Sequence, residues 1–471
     1  MTGARFQDAT PADPIAAEAM NSRNSFLSTP TGSYLGRVRQ KIIPWGMKGG
    51  LALLDQGIYS GSNFIISVFL ARWLSAEQYG IYAVAFAVFI LLSNVHQALL
   101  LEPMLVFGSS VYYNCLRGYM KALLLLHLGM SLLFAFVLCV SAAVVSRLGQ
   151  GNGLTAALLS VAFASLTYLL FGLTKRIFYL KLSPAPSVAA AFLYCLLTMG
   201  GLGLAYRQNH LSASSAFLIM GFGGLGTSIV LLAYLASRLS SSEPAPGVLD
   251  TWRRHWRYGR WALGANAAMW VPINAFYPLL SKFSGVAQAG ELKALMNFAS
   301  PMLQTCAALH TLILPYSARV LHARGNAAGT GIVLRRMTLL FASCAALYWA
   351  SLLLFQGTAF RILYSGRYME VTYLLPVVAL ASVAGSAFFG PSIVLRSMES
   401  PSSIFAAVSV SSCVSIAIGV PLTHAWGLAG AVWSIVLSET LAFVAAVVLL
   451  RRKTRLSCDT AADLVSLPAN Q

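Results

Sequence analysis

Residues 54–80 read LDQGIYSGSNFIISVFLARWLSAEQYG, and residues 264–290 read GANAAMWVPINAFYPLLSKFSGVAQAG. Both stretches are largely apolar, and both carry polar residues in one order. The first runs Asp55, Asn63, Arg72, Gln78, Gly80, and the second runs Asn266, Asn274, Lys282, Gln288, Gly290. Cation, Gln and Gly keep the same spacing in each, 210 residues apart, while the two polar positions ahead of the cation shift by one residue. A chain whose halves repeat inside apolar segments is most simply read as two lobes with a path between them.

Composition sets the class. Of 471 residues 58% are hydrophobic and 10% charged, with a mean hydropathy of +0.71, whereas soluble domains carry about 25% charged residues. Apolar runs of about 20 residues span a bilayer as helices, so the chain reads as an all-α polytopic membrane protein. The formal net charge of +18 belongs to loops flanking the spans, and no basic domain points to nucleic acid. Seven cysteines, Cys115, Cys139, Cys195, Cys306, Cys344, Cys413 and Cys458, show no disulfide framework and are expected to be small buried residues. The first residues lack the apolar core of a signal peptide.

Twelve apolar helices are expected, at 49–71, 80–107, 119–146, 154–174, 186–206 and 213–236, then at 258–281, 291–317, 334–359, 371–395, 402–423 and 427–450. They divide the chain into a largely unstructured tail with a basic collar (1–48), a six-helix lobe (49–236), a linker (237–257), a second six-helix lobe (258–450) and a C-terminal tail (451–471). With the N-terminus inside, the outer loops and ends hold only Arg72, Arg147, Arg207, Lys282, Lys293, Arg361 and Arg367 of the 32 Lys and Arg. That bias places both termini in the cytoplasm. Pro272 and Pro278, which flank Asn274, are the prolines expected to act as hinges.

Polar residues inside the spans nominate a cavity between the lobes. Asp55, Tyr59 and Ser62 share one stripe of the first helix, with Asn63 beside it; Asn266, Trp270 and Tyr277 share a stripe of the seventh, with Asn274 beside it. Lipid penalises such faces. Amides with aromatic rings suit sugars, although hydrogen bonds between helices are an equal account. Arg72 and Lys282 at the outer ends and Arg260 at the inner end attract an anionic cargo if they line the cavity, or reach for the head groups if they do not. Asp55, Glu102 and Glu439 are candidates for ion coupling, because an acid at mid-membrane costs about 2.5–3.5 kcal/mol. The seven histidines are scattered, no metal-ligand spacing exists, and no phosphate loop for ATP occurs, so neither enzyme chemistry nor a cofactor is expected.

Asp55-Gln56, Asn63-Phe64, Ala71-Arg72, Tyr79-Gly80 and Pro103-Met104, with Asn297-Phe298, Pro301 and Pro315 in the second half, resemble Wzx-like polysaccharide flippases of the multidrug/oligosaccharidyl-lipid/polysaccharide exporter superfamily. The resemblance implies two six-helix lobes rocking about a cation-lined central cavity. It also implies movement of an undecaprenyl-pyrophosphate-linked oligosaccharide across the bacterial inner membrane for surface polysaccharide (lipopolysaccharide or exopolysaccharide) biosynthesis. The implied partners are that lipid-linked substrate, membrane lipids, and the polysaccharide polymerase and export machinery. Two alternatives stand beside it: a cation-coupled drug or metabolite antiporter of the same superfamily, and a membrane polymerase or glycosyltransferase, which the short outer connectors disfavour. Replacing Arg72 and Lys282 together by Ala is expected to abolish glycan export in cells that make the polysaccharide; unchanged export at equal membrane abundance removes both from the path.

Overall fold

Within a bilayer no water is available to the backbone, so long apolar runs satisfy their N–H and C=O groups as helices. A computed structural model describes residues 31–147, 149, 152–180, 184–238, 246–324, 327–398 and 400–466. Among these the chain is helical with no strand. The elements are α1 (Thr31–Trp73), α2 (Ala76–His96) running through a π-helical turn (Gln97–Leu101) into α3 (Glu102–Gly108), α4 (Leu116–Arg147), α5 (Asn152–Leu180), α6 (Ala185–Arg207) and α7 (Ala213–Arg238). The second half holds α8 (Val248–Asn274), α9 (Phe276–Phe283), α10 (Val286–Arg324), α11 (Ala327–Leu354), α12 (Gln356–Tyr364), α13 (Leu375–Ser397) and α14 (Pro401–Ser466). α14 is two spans joined at Gly427, whose φ of 54° and ψ of −128° turn the chain back on itself. With α2–α3 and α8–α9 each counted as one crossing and α12 as a connector, these make 12 spans in two lobes of six.

Eight helical stretches are apolar enough to qualify as spans on length and composition; α1, α8 and α10 do not reach that threshold among the described residues. α1 and α8 carry Asp55, Asn63, Arg72, Asn266 and Asn274 of the repeated pattern, and α10 carries Gln288, while Gln78 lies in α2 and Lys282 in α9. Each lobe is built alike: α5 is the hub for α4 and α7 in the first, and α13 is the hub for α11 and α14 in the second.

The repeated Gln and Gly acquire a structural meaning at the face where α1 ends and α2 begins, termed distal below. Gln78 accepts the first backbone N–H of α7, Ala213 N, at 3.0 Å, and Gln288 accepts Leu428 N, at the start of the last span, at 2.9 Å. Each amide therefore satisfies an orphan donor at a helix start within its own lobe. Gly80 and Gly290 meet between the lobes. A Cβ on Gly290 would lie 2.9 Å from Gly80 N, and one on Gly80 would overlap the Val286 carbonyl. Only glycine lets α2 and α10 cross this closely.

Several expectations shift. α5 continues to Leu180, past the expected end at 174, so Lys175 lies inside the bundle rather than in a loop. α8 starts at Val248 and absorbs nearly half of the expected linker, and α1 is helical from Thr31, within the expected tail. Residues 1–30 and 467–471 lie outside the described residues. Cys115 and Cys306 are buried as expected, but Cys139, Cys344 and Cys413 are exposed on their helices, where a small apolar side chain suits lipid; Cys458 falls where side chains are not described. The Pro272–Pro278 segment does break its helix, at Ala275 between α8 and α9.

Gly80→Leu is expected to force α2 and α10 apart. In a cysteine-free background carrying Asn297→Cys, labelling by a water-soluble maleimide should rise several-fold. Labelling equal to that of the Gly80 parent would show that the crossing is not a tight closure.

Candidate functional site

Just below the glycine crossing, a ring of hydrogen bonds joins the lobes. Tyr79 donates to Ser67 Oγ at 3.1 Å, Ser67 donates to Asn297 Oδ1 at 2.9 Å, and Asn297 Nδ2 donates back to the Tyr79 hydroxyl at 3.0 Å. Asn297 Nδ2 also reaches the Tyr364 hydroxyl at 3.3 Å, which in turn donates to Ala294 O at 2.8 Å. Ser67 and Tyr79 come from α1 and α2, and the other side chains from the second lobe. Arg367 adds a bond to the Leu74 carbonyl at the distal rim. Every polar atom of the ring finds a partner, which a buried network in an apolar setting requires.

From Tyr79 an aromatic ladder descends through the first lobe. Tyr79, Tyr82, Phe86, Phe89, Tyr168 and Tyr59 follow one another with ring centroids 5.3 to 6.4 Å apart. Tyr59 and Tyr168 share a 2.5 Å hydrogen bond, with Asn63 beside both hydroxyls. A cation sits on the ladder near each end. Lys293 of α10 places Nζ 4.4 Å from the Phe86 ring centroid, across the lobe boundary. Lys175 of α5 places Nζ 4.5 Å from the Tyr59 centroid.

The two cations differ in their partners. Lys175 Nζ lies 2.8 Å from Asp55 Oδ1, and Tyr179 donates to Asp55 Oδ2 at 2.5 Å. Asp55 is 3% exposed, so a buried carboxylate is matched by a buried ammonium and a phenol. Lys293 has no carboxylate within ion-pair distance among the described residues. It is an unneutralised positive charge between the lobes, half-buried under the distal closure.

Opposite the ladder, α8 lies along α2. Trp270 Nε1 donates to Ala87 O at 2.9 Å. Further down, Pro103 has no N–H to give the carbonyl four residues back, Leu99 O. His255 Nδ1 of α8 fills that place at 2.9 Å, while the Tyr119 hydroxyl donates to His255 Nε2 at 2.7 Å. Pro272 likewise frees Ala268 O, and Ser412 supplies the donor at 2.5 Å. Two prolines thus free carbonyls that a neighbouring helix takes up. On the α1–α10 side, Leu54, Gln56 and Gly57 of α1 and Thr305, Thr311 and Leu312 of α10 are exposed.

The residues singled out by sequence fall into three groups. Asp55, Asn63 and Trp270 are brought to the seam or to the ladder beneath it, while Asn274 is bonded within α8 to Trp270 O at 3.3 Å and Tyr277 is buried in the core. Asn266 is half-buried. Arg72, Lys282 and Arg260 are exposed, Arg72 and Lys282 at helix ends and Arg260 in the middle of α8, which begins twelve residues before it rather than near it as expected; Lys282 lies 5.9 Å from the Phe283 ring and Arg260 5.4 Å from that of Trp261. Glu102 begins α3 half-buried, and Glu439 lies against α13, where a Cβ on Gly385 would come within 2.7 Å of its Oε2. Neither has an ion-pair partner among the described residues. Lys175, Lys293, Asn297 and His255 were not on the sequence's list of site residues. The question that finds Lys175 is what neutralises Asp55, and the question that finds His255 is what bonds the carbonyl freed by Pro103. The scattered histidines are partly gathered as well: His96 Nε2 donates to His127 Nδ1 at 3.0 Å, and His127 Nε2 donates to Leu166 O at 2.9 Å. Among the described residues no three His, Cys, Asp or Glu are close enough to hold a metal ion.

No protein-family model matches the sequence, and no curated protein is similar enough to match it. Solved structures do share the fold. An inward-facing multidrug resistance MATE family transporter of the MOP superfamily superposes with a TM-score of 0.69 at 12% identity, over 86% of this chain and 95% of that one. The lipid II flippase MurJ, in an inward closed conformation, gives 0.63 at 11% identity over 86% and 87%. The Vibrio cholerae MATE transporter VcmN, in its bent form, gives 0.56 at 13% over 88% and 98%. The chain is thus a multi-pass membrane protein with the two-lobed fold of these transporters.

Removing Lys175 strands the Asp55 carboxylate in the bundle. Lys175→Ala is expected to lower stability by about 3–5 kcal/mol, and Asp55→Leu with Lys175→Met by far less, because a breached buried pair costs more than an apolar replacement. Thermal unfolding of the detergent-purified variants decides; equal losses in both would deny that the pair is coupled.

Proposed function

We propose that this protein carries a lipid-linked oligosaccharide with a pyrophosphate head across the bacterial inner membrane, by alternating exposure of the seam between its lobes. The observation that carries this reading is Lys293, a cation without a carboxylate partner among the described residues, set on Phe86, the third ring of the aromatic ladder. An ammonium under the closure favours an anionic group, and tyrosine and phenylalanine faces with nearby amides suit sugar rings. Asp55, already balanced by Lys175, adds no net negative charge against such a cargo. Solved structures that share the fold, a MATE family multidrug transporter and the lipid II flippase MurJ, support a transporter. The termini then lie in the cytoplasm, the polysaccharide polymerase and export machinery act on the product, and Arg72 and Lys282 serve as outer-end guides for the head group.

A second reading has its own observation. Glu439, an acid within the last span and without an ion-pair partner among the described residues, is the kind of group a cation-coupled drug antiporter uses. The two readings separate in proteoliposomes. Flipping of a fluorescent prenyl-pyrophosphate oligosaccharide is expected, reduced at least about tenfold by Lys293→Ala, the equivalent of losing about 1.4 kcal/mol of interaction in the rate-limiting state, and largely kept by Lys293→Arg. Proton- or sodium-driven drug uptake that needs Glu439, with no flipping, would decide for the antiporter.

A further inference from the structure

α11 and the second span of α14 both pack on α13, and near the face where α3 meets α4, termed proximal, they leave a cleft of about 520 Å3 between them. The walls of the cleft are graded. α11 rises from the proximal face while α14 descends to it, so Thr330 and Thr454 stand at the rim, and Arg335 and Arg451 lie about one turn further in. Leu339, Phe443 and Val447 form the deepest part. Phe443 precedes Arg451 by two helical turns, roughly 12 Å along the axis. Both arginines are exposed, and neither has a carboxylate partner among the described residues.

We propose that this cleft binds the phosphate head of an acidic glycerophospholipid from the proximal leaflet, with an acyl chain lying on Leu339, Phe443 and Val447. Guanidinium groups from two different helices line this one cleft, and a phosphodiester accepts from such forks. Basic residues at the cytoplasmic ends of membrane helices bind anionic lipid in this manner. A zwitterionic lipid brings its own ammonium to the arginines and loses the charge match. A free anion leaves the apolar wall uncovered. The cleft is flanked by α11 and α14, away from the Lys293–Phe86 contact and from the Asp55–Lys175 pair, so the bound lipid is a resident of the second lobe and not the cargo. By joining two helices that share α13 as their hub, it holds that lobe together as a rigid body.

The test uses the full-length protein in detergent, examined by native mass spectrometry with phosphatidylglycerol and phosphatidylcholine of matched chains. Wild type is expected to hold phosphatidylglycerol in preference to phosphatidylcholine by at least about tenfold, given the strength of one or two basic contacts to an anionic head group. Arg335→Gln with Arg451→Gln is expected to lose the preference while remaining monodisperse, since both side chains are exposed, and Arg335→Lys with Arg451→Lys to keep much of it. Inorganic phosphate and undecaprenyl phosphate serve as competitors. The proposal is overturned if the glutamine variant retains the preference, if inorganic phosphate alone displaces the lipid at equal concentration, or if undecaprenyl phosphate is held more tightly than phosphatidylglycerol. Export activity reports separately on the transport reading, so failure of one leaves the other measurable.

Discussion

The hydrogen-bonded ring of Ser67, Tyr79 and Asn297 is the contact on which the rest of the arrangement depends. It lies beneath the point where Gly80 and Gly290 let α2 and α10 touch backbone to backbone. Both lobes contribute, and each component is directional, so the ring is either made or broken. A bonded ring of this kind has two discrete states rather than a continuous range, which is the property a two-state gate needs. Gln78 and Gln288 anchor the two crossing helices to the first turns of α7 and of the last span, so the crossing is tied into each lobe.

Proline and the cost of an unpaired carbonyl explain the other seam. Pro103 and Pro272 each remove a donor from an apolar helix, and an orphan carbonyl in lipid costs several kcal/mol. His255 and Ser412 meet that demand from neighbouring helices. The bond from His255 crosses the lobe boundary, so a local defect in α2–α3 becomes an adhesive contact to α8. The α2–α8 side is therefore bonded along its length, through Trp270 as well, while the α1–α10 side is bonded only toward its distal end among the described residues.

Architecture was legible in the sequence because it rests on periodic quantities: span length, loop charge, and the repeated cation-Gln-Gly spacing at Arg72–Gly80 and Lys282–Gly290. The glycines and glutamines of that repeat proved to be structural, closing the crossing and capping helices. The site was legible only in part. Asp55 and Asn63 stand out as polar residues on an apolar face, but Lys175 and Lys293 look like ordinary ends of helices, since their environment is set by helices 120 and 207 residues away in the chain. His255 looks like linker until Pro103 is seen to need a donor. The exposed positions of Arg72 and Lys282 at helix ends, and of Arg260 midway along α8, show the reverse case, where a conspicuous charge has neighbours of no special kind. A one-dimensional reading finds which residues are expensive in a membrane; only packing shows how each cost is met.

The most direct measurement locks the ring. In a cysteine-free background, Ser67→Cys with Asn297→Cys puts one thiol on each side of the 2.9 Å hydrogen bond between the lobes, to be joined by oxidation. Transport of the prenyl-pyrophosphate oligosaccharide in proteoliposomes is followed under oxidising and then reducing conditions. If the lobes separate at this point in every cycle, oxidation stops transport and reduction restores it to the level of the uncrosslinked variant. Undiminished transport with the disulfide fully formed would contradict alternating access through this seam.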